Sequence, residues 1–205
     1  MEEISLLNDA KLRGLAVLTG ILTIILPFIG SWWELKFAEI LVFEISPFEF
    51  NIFALGEKIY IPLIYWTTYS FRVIIVSSGV AMVIGGLIDR KWSVHLLRFG
   101  AGKIIWFVIG MIITILLVIP INLFLSDIQS QLQNQIQSQM FFKIPVLGEE
   151  TVSLRDENVR ITFKVASELK PPFLLSVALS ILGVYLRRKT KPSGSKAEGE
   201  AEQIV

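Results

Sequence analysis

Four carboxylates lie close together in the second half of the chain, at Glu149, Glu150, Asp156 and Glu157. Hard oxygen ligands of this kind hold calcium when roughly six to eight oxygens surround the ion. Their spacing follows no calcium-loop signature, so they read as charged turns at the rim of a sheet. Ser153 or Ser167 beside Lys164 or Lys170 could make a nucleophile–base pair, with the lysine taking the hydroxyl proton. No local signature accompanies that pair. The run Phe99-Gly100-Ala101-Gly102-Lys103 has the glycine and lysine of a phosphate loop, but Leu97 stands where the first glycine belongs and Ile104 where a Ser or Thr belongs. His95 is the one histidine, and cysteine is absent. Disulfides, thiolate chemistry, bis-histidine haem and multi-histidine metal sites are therefore excluded. No catalytic, cofactor-binding or metal-ligating residue is assigned, and a non-enzymatic protein is expected.

The elements that would carry such residues are dominated by four apolar runs, at 14–30, 73–88, 104–125 and 173–186. None holds an ionisable residue in its interior. About 20 apolar residues cross a hydrocarbon core, so the third run is the longest fit and the fourth is short. Pro171 and Pro172 precede the fourth run, and Arg187-Arg188-Lys189 follow it, as a helix start and a basic membrane exit require. Hydrophobic residues make up 53% and charged residues 18% of 205 residues, with a mean hydropathy of +0.64. The net charge of +1 offers no basic stripe for nucleic acid. The first nine residues carry Glu2, Glu3 and Asp9 without a base, unlike a cleavable signal, so the first run is read as a retained span.

Lys and Arg orient the spans. Eleven of the 19 bases fall in the N-tail, in the 89–103 segment and in the C-tail, mostly beside span ends. The other eight are spread over two longer loops. The positive-inside rule then places both termini in the cytoplasm. Trp92, Leu96 and Phe99 suggest a short interfacial segment before Gly100-Ala101-Gly102 bends into the third span. The C-tail from Thr190 has no apolar periodicity and reads as disordered.

Both outer loops alternate with period two. Over 33–45 the odd positions are Trp33, Leu35, Phe37, Glu39, Leu41, Phe43 and Ile45, apolar except for Glu39, while Glu34, Lys36 and Glu44 occupy even positions. That pattern is a half-buried strand. Ser46-Pro47 breaks it, Phe48, Phe50 and Ile52 restart it, and Gly56-Glu57 turns the chain before Ile59, Ile61 and Leu63. In the second loop, Ile128, Leu132, Ile136 and Met140 mark one stripe of a glutamine-rich helix. Strands follow at 141–146 and 151–155, and then at 159–165, where Ile161 and Phe163 face one way and Arg160 and Lys164 the other. An isolated hairpin is marginal in water, so the two loops are expected to combine into one β domain.

The spacing predicts a membrane α-helical protein: a four-transmembrane-helix bundle with a small extracytoplasmic β-rich domain formed by the two long outer loops. In order, it comprises a cytoplasmic tail (1–13), a span (14–31), outer strands (32–70), a span (71–88), a cytoplasmic interfacial loop (89–103), a span (104–125), an outer helix extension and hairpin (126–171), a span (172–186) and a cytoplasmic tail (187–205). This layout resembles that of claudin-type and tetraspanin-type proteins, without the loop cysteines of either. Gly20, Ser77, Ala81, Gly85, Ser176 and Ser180 are small residues at helical spacing, suited to close helix packing. Trp32, Trp33, Tyr65, Trp66 and Tyr69 read as an interfacial aromatic belt.

The expected function is that of an accessory subunit, or of a cell-surface organising or adhesion module, in the cell membrane. Its partners would be membrane lipid and other membrane or envelope proteins or further copies of itself, met through Trp33, Phe37, Phe43, Ile161 and Phe163. The alternative is a homo-oligomeric channel or passive pore lined by Thr19, Thr23, Ser77, Ser78, Thr114 and Asn122.

Overall fold

The computed structural model of the protein describes residues 10–38, 40–88, 90, 92–133, 139–141, 144–156 and 159–190. Both chain tails (1–9 and 191–205), the glutamine-rich stretch 134–138 and the turn at 157–158 lie outside the described residues, as do Glu39, Asp89, Lys91 and 142–143. Glu157 of the acidic group is among them.

Five helices carry the apolar runs: α1 (Ala10–Ile25), α2 (Pro62–Leu87), α3 (Ser93–Leu116), α4 (Val118–Gln133) and α5 (Pro171–Lys189). Among the described residues, three helical stretches, Ala10–Phe28, Pro62–Leu87 and Ser93–Phe124, are long and apolar enough to cross a membrane. The fourth run forms α5 but is not among those three, because its 19 residues include Arg187, Arg188 and Lys189. Pro62 and Pro171 open their helices, where a missing N–H and a fixed φ do no harm. The three bases in the last turn of α5 meet the negative end of its dipole.

The third run is not one straight helix. Its regular pattern lapses at Leu117, between α3 and α4. Pro120 explains the break: its ring crowds the carbonyl of residue 116 and supplies no N–H to it. Helical bonds continue on either side, from Leu117 N to Ile113 O and from Ile121 N to Leu117 O. At its other end α3 differs from the sequence expectation. Residues 93–103, read as part of a loop with a glycine bend, are helical throughout.

Seven strands form one antiparallel sheet in the order β4-β3-β2-β1-β7-β6-β5. They are β1 (Trp33–Phe37), β2 (Leu41–Ser46), β3 (Glu49–Ala54), β4 (Glu57–Ile59), β5 (Gln139–Phe141), β6 (Gly148–Asp156) and β7 (Val159–Leu169). The expected union of the two loops is present in the pairing of β1 with β7, from Trp33 opposite Leu169 to Phe37 opposite Val165. The strand expected over 33–45 is instead a hairpin. Phe37 pairs with Leu41, and Ala38 takes a left-handed φ of 49° to turn the chain. An odd number of residues between Phe37 and Leu41 leaves the period-two pattern unbroken across the turn, so alternation alone hides it. Between β3 and β4, Leu55 (φ 53°) and Gly56 (φ 84°) make a two-residue turn with both centres left-handed. Ser46 shapes the β2–β3 turn by accepting from Phe48 N (3.3 Å) and donating to Glu49 O (3.2 Å).

The chain divides into two compact units. One holds Met1–Phe28, Val73–Trp106 and Ser176–Val205, and the other holds Ile29–Arg72 and Phe107–Leu175. In the first unit, helices meet at glycines. A Cβ on Gly20 would lie 2.9 Å from Gly79 O, and one on Gly79 would lie 2.8 Å from Gly20 O. Gly86 meets Val17 and Arg13 O, and Gly85 meets Ser93 O and Leu97. These contacts run α1 antiparallel to α2 and α2 antiparallel to α3, as backbones do when small residues let them close.

The second unit is built around edge-to-face aromatic rings. Trp32 touches Phe48 (centroids 5.4 Å apart) and Phe173 (6.1 Å), Phe48 touches Phe107 (5.1 Å), and Phe107 touches Phe71 (5.6 Å). Trp32 and Phe48 are fully buried. This cluster joins the sheet's lead-in and β2–β3 turn to Phe71 of α2, Phe107 of α3 and Phe173 of α5 within that unit, and it supplies its core.

Candidate interaction surface and cleft

Alternation of side chains gives the sheet two faces, and register decides what meets on each. On one face a row crosses four strands: Glu168 on β7, Glu34 on β1, Glu44 on β2 and Asn51 on β3. Three carboxylates side by side repel unless they are compensated. Lys36 Nζ lies 2.6 Å and Lys170 Nζ 3.3 Å from Glu34 Oε1, and Lys170 also reaches Glu168 Oε2 at 3.2 Å. Asn51 donates to Glu44 Oε2 (3.1 Å) and Glu49 Oε1 (2.9 Å). The backbone N of Lys170 is held by Trp32 O at 2.9 Å, which fixes the lysine where Glu34 needs it.

Burial alone would raise the Glu34 pKa, but hydrogen bonds and charge from Lys36 and Lys170 outweigh it and hold the carboxyl below its ordinary 4.5. Burial likewise works to lower Lys170, and its bonds to Glu168 and Glu34 prevail, raising it above 10.5. The stabilisation from Glu34 is thus complete above the usual glutamate range and is lost as pH falls through the depressed native value. That from Lys170 is complete below 10.5 and is lost only as pH rises through its raised native value. Unfolding monitored by tryptophan fluorescence should show stability level from about pH 5 to pH 9, declining below about pH 4. Glu34→Gln should flatten that acid limb and lower neutral stability by about 1–2 kcal/mol, since Lys36 is half exposed. An acid limb unchanged in Glu34→Gln would assign it to other carboxylates.

The opposite face is apolar and unevenly covered. Around β1 and β7 it is closed: Leu35, Val152 and Val165 are buried, and Trp33 is 3% exposed. Trp33 Nε1 donates to Ser167 Oγ (2.6 Å), which in turn donates to Val146 O (2.8 Å). Toward the β2–β4 side the face opens. Phe37 and Phe43, in edge-to-face contact at 5.8 Å, are half-buried, as is Phe163 on β7. Ile59 is exposed, and so are Ile40 (59%) and Leu55 (80%) at adjoining turns, joined by a bond from Leu55 N to Ile40 O. Of the residues expected to meet a partner, Phe37, Phe43 and Phe163 therefore remain accessible, and Trp33 belongs to the core. Ile161 pairs with Leu154 in the β6–β7 ladder.

The helix-packing residues divide similarly. Gly20 and Gly85 make close backbone contacts and Ser176 is buried. Ser77 is exposed and bonds its own helix, at Val73 O and Ile74 O. Ala81 and Ser180 are half-buried. The packed stripe of α2 is Ile75, Ser78, Gly79, Met82, Gly85 and Gly86, about one residue round the helix from the Ser77–Ala81 reading. The signal that could have found it is the spacing of Gly79 and Gly86, seven residues or about two turns apart. The expected aromatic belt also splits. Tyr65, Trp66 and Tyr69 are exposed, whereas Trp32 and Trp33 are core.

Groups offered to a pore or to catalysis are engaged with backbone. Thr19, Thr23 and Thr114 donate to the carbonyls four residues before them, and Ser78 donates to Gly100 O across a helix pair. Asn122 pairs its side-chain amide with both backbone groups of Ile144, at 2.6 and 2.8 Å. Ser167 sits on the opposite strand face from Lys164 and Lys170 by alternation, and its hydroxyl already has two partners. His95 is exposed on the first turn of α3, and the Phe99–Lys103 segment is helix rather than loop. Among the described residues, no three His, Asp or Glu side chains converge to hold a metal.

Beside the edge strand β4 lies a cleft of about 210 Å³, walled by β3, β4 and the first turns of α2. Tyr60, Tyr65 and Tyr69 form one side, with Tyr65 and Tyr69 stacked at 6.4 Å and Tyr60 tilted against Tyr65 at 5.6 Å. Arg72, Lys58 and Glu49 are its charged lining groups. The Arg72 guanidinium is positioned by Nη2 donating to Phe48 O at 3.2 Å.

No protein-family model matches this chain, and neither does any curated protein or solved structure.

Proposed function

We propose that this chain is a multi-pass membrane protein of four spans with cytoplasmic termini, whose sheet stands on the extracytoplasmic side and docks another membrane or envelope protein. The reading rests on one observation above others. A single sheet draws strands from both loops, yet its apolar face is closed only around β1 and β7 and stays open at Phe37, Phe43, Ile59 and Phe163. An apolar face rimmed by charge is the surface a protein partner covers. The helices present large apolar side chains outward, including Trp106 (71% exposed) and Leu174 (66%), which suits lipid as their solvent. The basic stop after residue 186 and the distribution of Lys and Arg support α5 as the fourth span and support the orientation.

The absence of cysteine makes one experiment decisive. Ile59→Cys places a single thiol on the open face at the sheet edge. A membrane-impermeant maleimide carrying a photocrosslinker, applied to intact cells, should label it and on illumination yield one discrete heavier product. Labelling only after permeabilisation would place the sheet inside. Labelling without a discrete product would remove the docking role, and a product of twice the chain's mass would identify the partner as a second copy.

A further inference from the structure

We infer that the groove between α3 and α5 at Gly102 binds the phosphate of an anionic phospholipid through Lys103 and Arg187. The inference rests on the placing of α5 in the bilayer proposed above, and it uses no residue of the sheet or of its docking face.

Position is the first argument. Lys103 is the last base before the charge-free run that starts at Ile104, and Arg187 is the first after the run that ends at Leu186. These two boundaries are far apart in sequence, yet they meet within the first compact unit. A Cβ on Gly102 would lie 3.7 Å from Arg187 Nη1, and one on Gly183, a turn before Arg187, would lie 3.3 Å from Ala101 O. The pair therefore marks the edge of the hydrocarbon on two helices at once, and a phospholipid carries its phosphate at that level.

Charge is the second. In this unit α3 and α5 carry Arg98, Lys103, Arg187, Arg188 and Lys189, and no Asp or Glu stands among the unit's described residues. Such an excess attracts anionic heads. A zwitterionic head would bring its own ammonium among these bases, so a head of net negative charge is preferred.

Geometry is the third. Phe99, Gly102, Lys103 and Trp106 share one face of α3 at helical spacing. The missing side chain at Gly102 leaves backbone as the groove floor, with the exposed Arg187 against it. Lys103 Nζ lies 5.3 Å from the Phe99 ring centroid, a turn nearer the helix start, so the ammonium turns away from the apolar run. Neither Lys103 nor Arg187 makes an ion pair or side-chain hydrogen bond among the described residues, which leaves their N–H groups for phosphate oxygens. Trp106, 71% exposed, stands one turn deeper, where its ring suits an acyl chain.

The test is native mass spectrometry of the full chain in detergent, titrated with dioctanoyl phosphatidylglycerol and, separately, with dioctanoyl phosphatidylcholine. One equivalent of phosphatidylglycerol should bind saturably and displace phosphatidylcholine. Lys103→Gln and Arg187→Gln should each weaken it about fivefold, and the double variant about 25-fold, while Arg187→Lys keeps part of the affinity. Lys189→Gln removes the same charge from the same last turn, about 200° round the helix from Arg187, and should change nothing. An equal loss in Lys189→Gln would replace the site with diffuse attraction to a basic surface. Equal affinity for phosphatidylcholine would overturn the role of head charge, and equal competition by glycerophosphoglycerol would reassign the site to soluble phosphate esters. A nitroxide on Ile181→Cys, exposed on α5, separates the site from the reading it rests on. In bilayers it should collide with oxygen more than with a water-soluble nickel chelate. Nickel preference would remove α5 from the bilayer and the lipid site with it. Oxygen preference without phosphatidylglycerol selectivity would overturn the site alone.

Discussion

Gly100→Ala should destabilise the protein by about 2–3 kcal/mol, while Gly110→Ala on the same helix should be neutral or stabilise it by up to about 1 kcal/mol. The two changes add the same methyl group to the same helix, α3. At Gly100 the new Cβ would fall 2.5 Å from Ser78 O and on Met82 Cγ, so α2 and α3 must move apart. A backbone oxygen cannot swing aside as a side chain can, and the separation also strains the bond from Ser78 Oγ to Gly100 O. At Gly110 nothing lies within 4 Å, so only the gain in helix propensity remains. Denaturant unfolding of both variants in the same micelles, followed by tryptophan fluorescence, measures the difference directly. Equal effects at the two positions would mean that α2 and α3 do not meet at Gly100.

Trp32→Ala should cost about 3–5 kcal/mol, among the largest effects of any single truncation here. Trp32 is fully buried, and it bridges Phe48 and Phe173, so its removal opens the cluster that joins residues of three helices to the sheet in that unit. Its indole N–H meets no acceptor among the described residues. Trp32→Phe therefore loses volume but also removes an unpaired donor, and should cost well under half of the alanine change. The neighbouring residue behaves differently. Trp33→Phe deletes the donor to Ser167 Oγ, adding about 1 kcal/mol to its packing loss. Thermal unfolding of the three variants ranks these terms. A Trp32→Phe variant as unstable as Trp32→Ala would show that the indole has a partner in solution, such as a bound water.

Much of the architecture was legible because it depends on local pattern. Runs free of charge gave the helices, Pro171 marked where α5 begins, and period-two alternation gave strands in both loops, although it carried the strand reading past Pro62 to Leu63, where α2 has already begun. Even the joining of the loops into one sheet followed from the instability of an isolated hairpin. The errors share a physical origin. A turn that preserves parity, as at Ala38, is invisible to alternation, and so 33–45 read as one strand. Glycines in a helix look like bends or generic packing, and only the facing helix shows that Gly79, Gly86 and Gly100 are contact points while Ser77 is not. Paired tryptophans beside a span read as a belt, and only packing shows that Trp32 and Trp33 are core.

The sequence by itself therefore determined the solvents of this protein. Charge-free runs need lipid, alternating segments need one wet and one dry face, and the absence of cysteine removes a whole class of chemistry. Those properties are carried by single residues and their near neighbours, within reach of one or two turns. The tertiary structure decided which residues meet. It set Glu34 between two lysines from positions 36 and 170, clasped Asn122 to Ile144, closed helices on particular glycines, and drew Lys58 and Arg72 to one tyrosine-walled cleft. Each of those contacts depends on register and helix rotation, and a shift of one residue in either would replace it with another set.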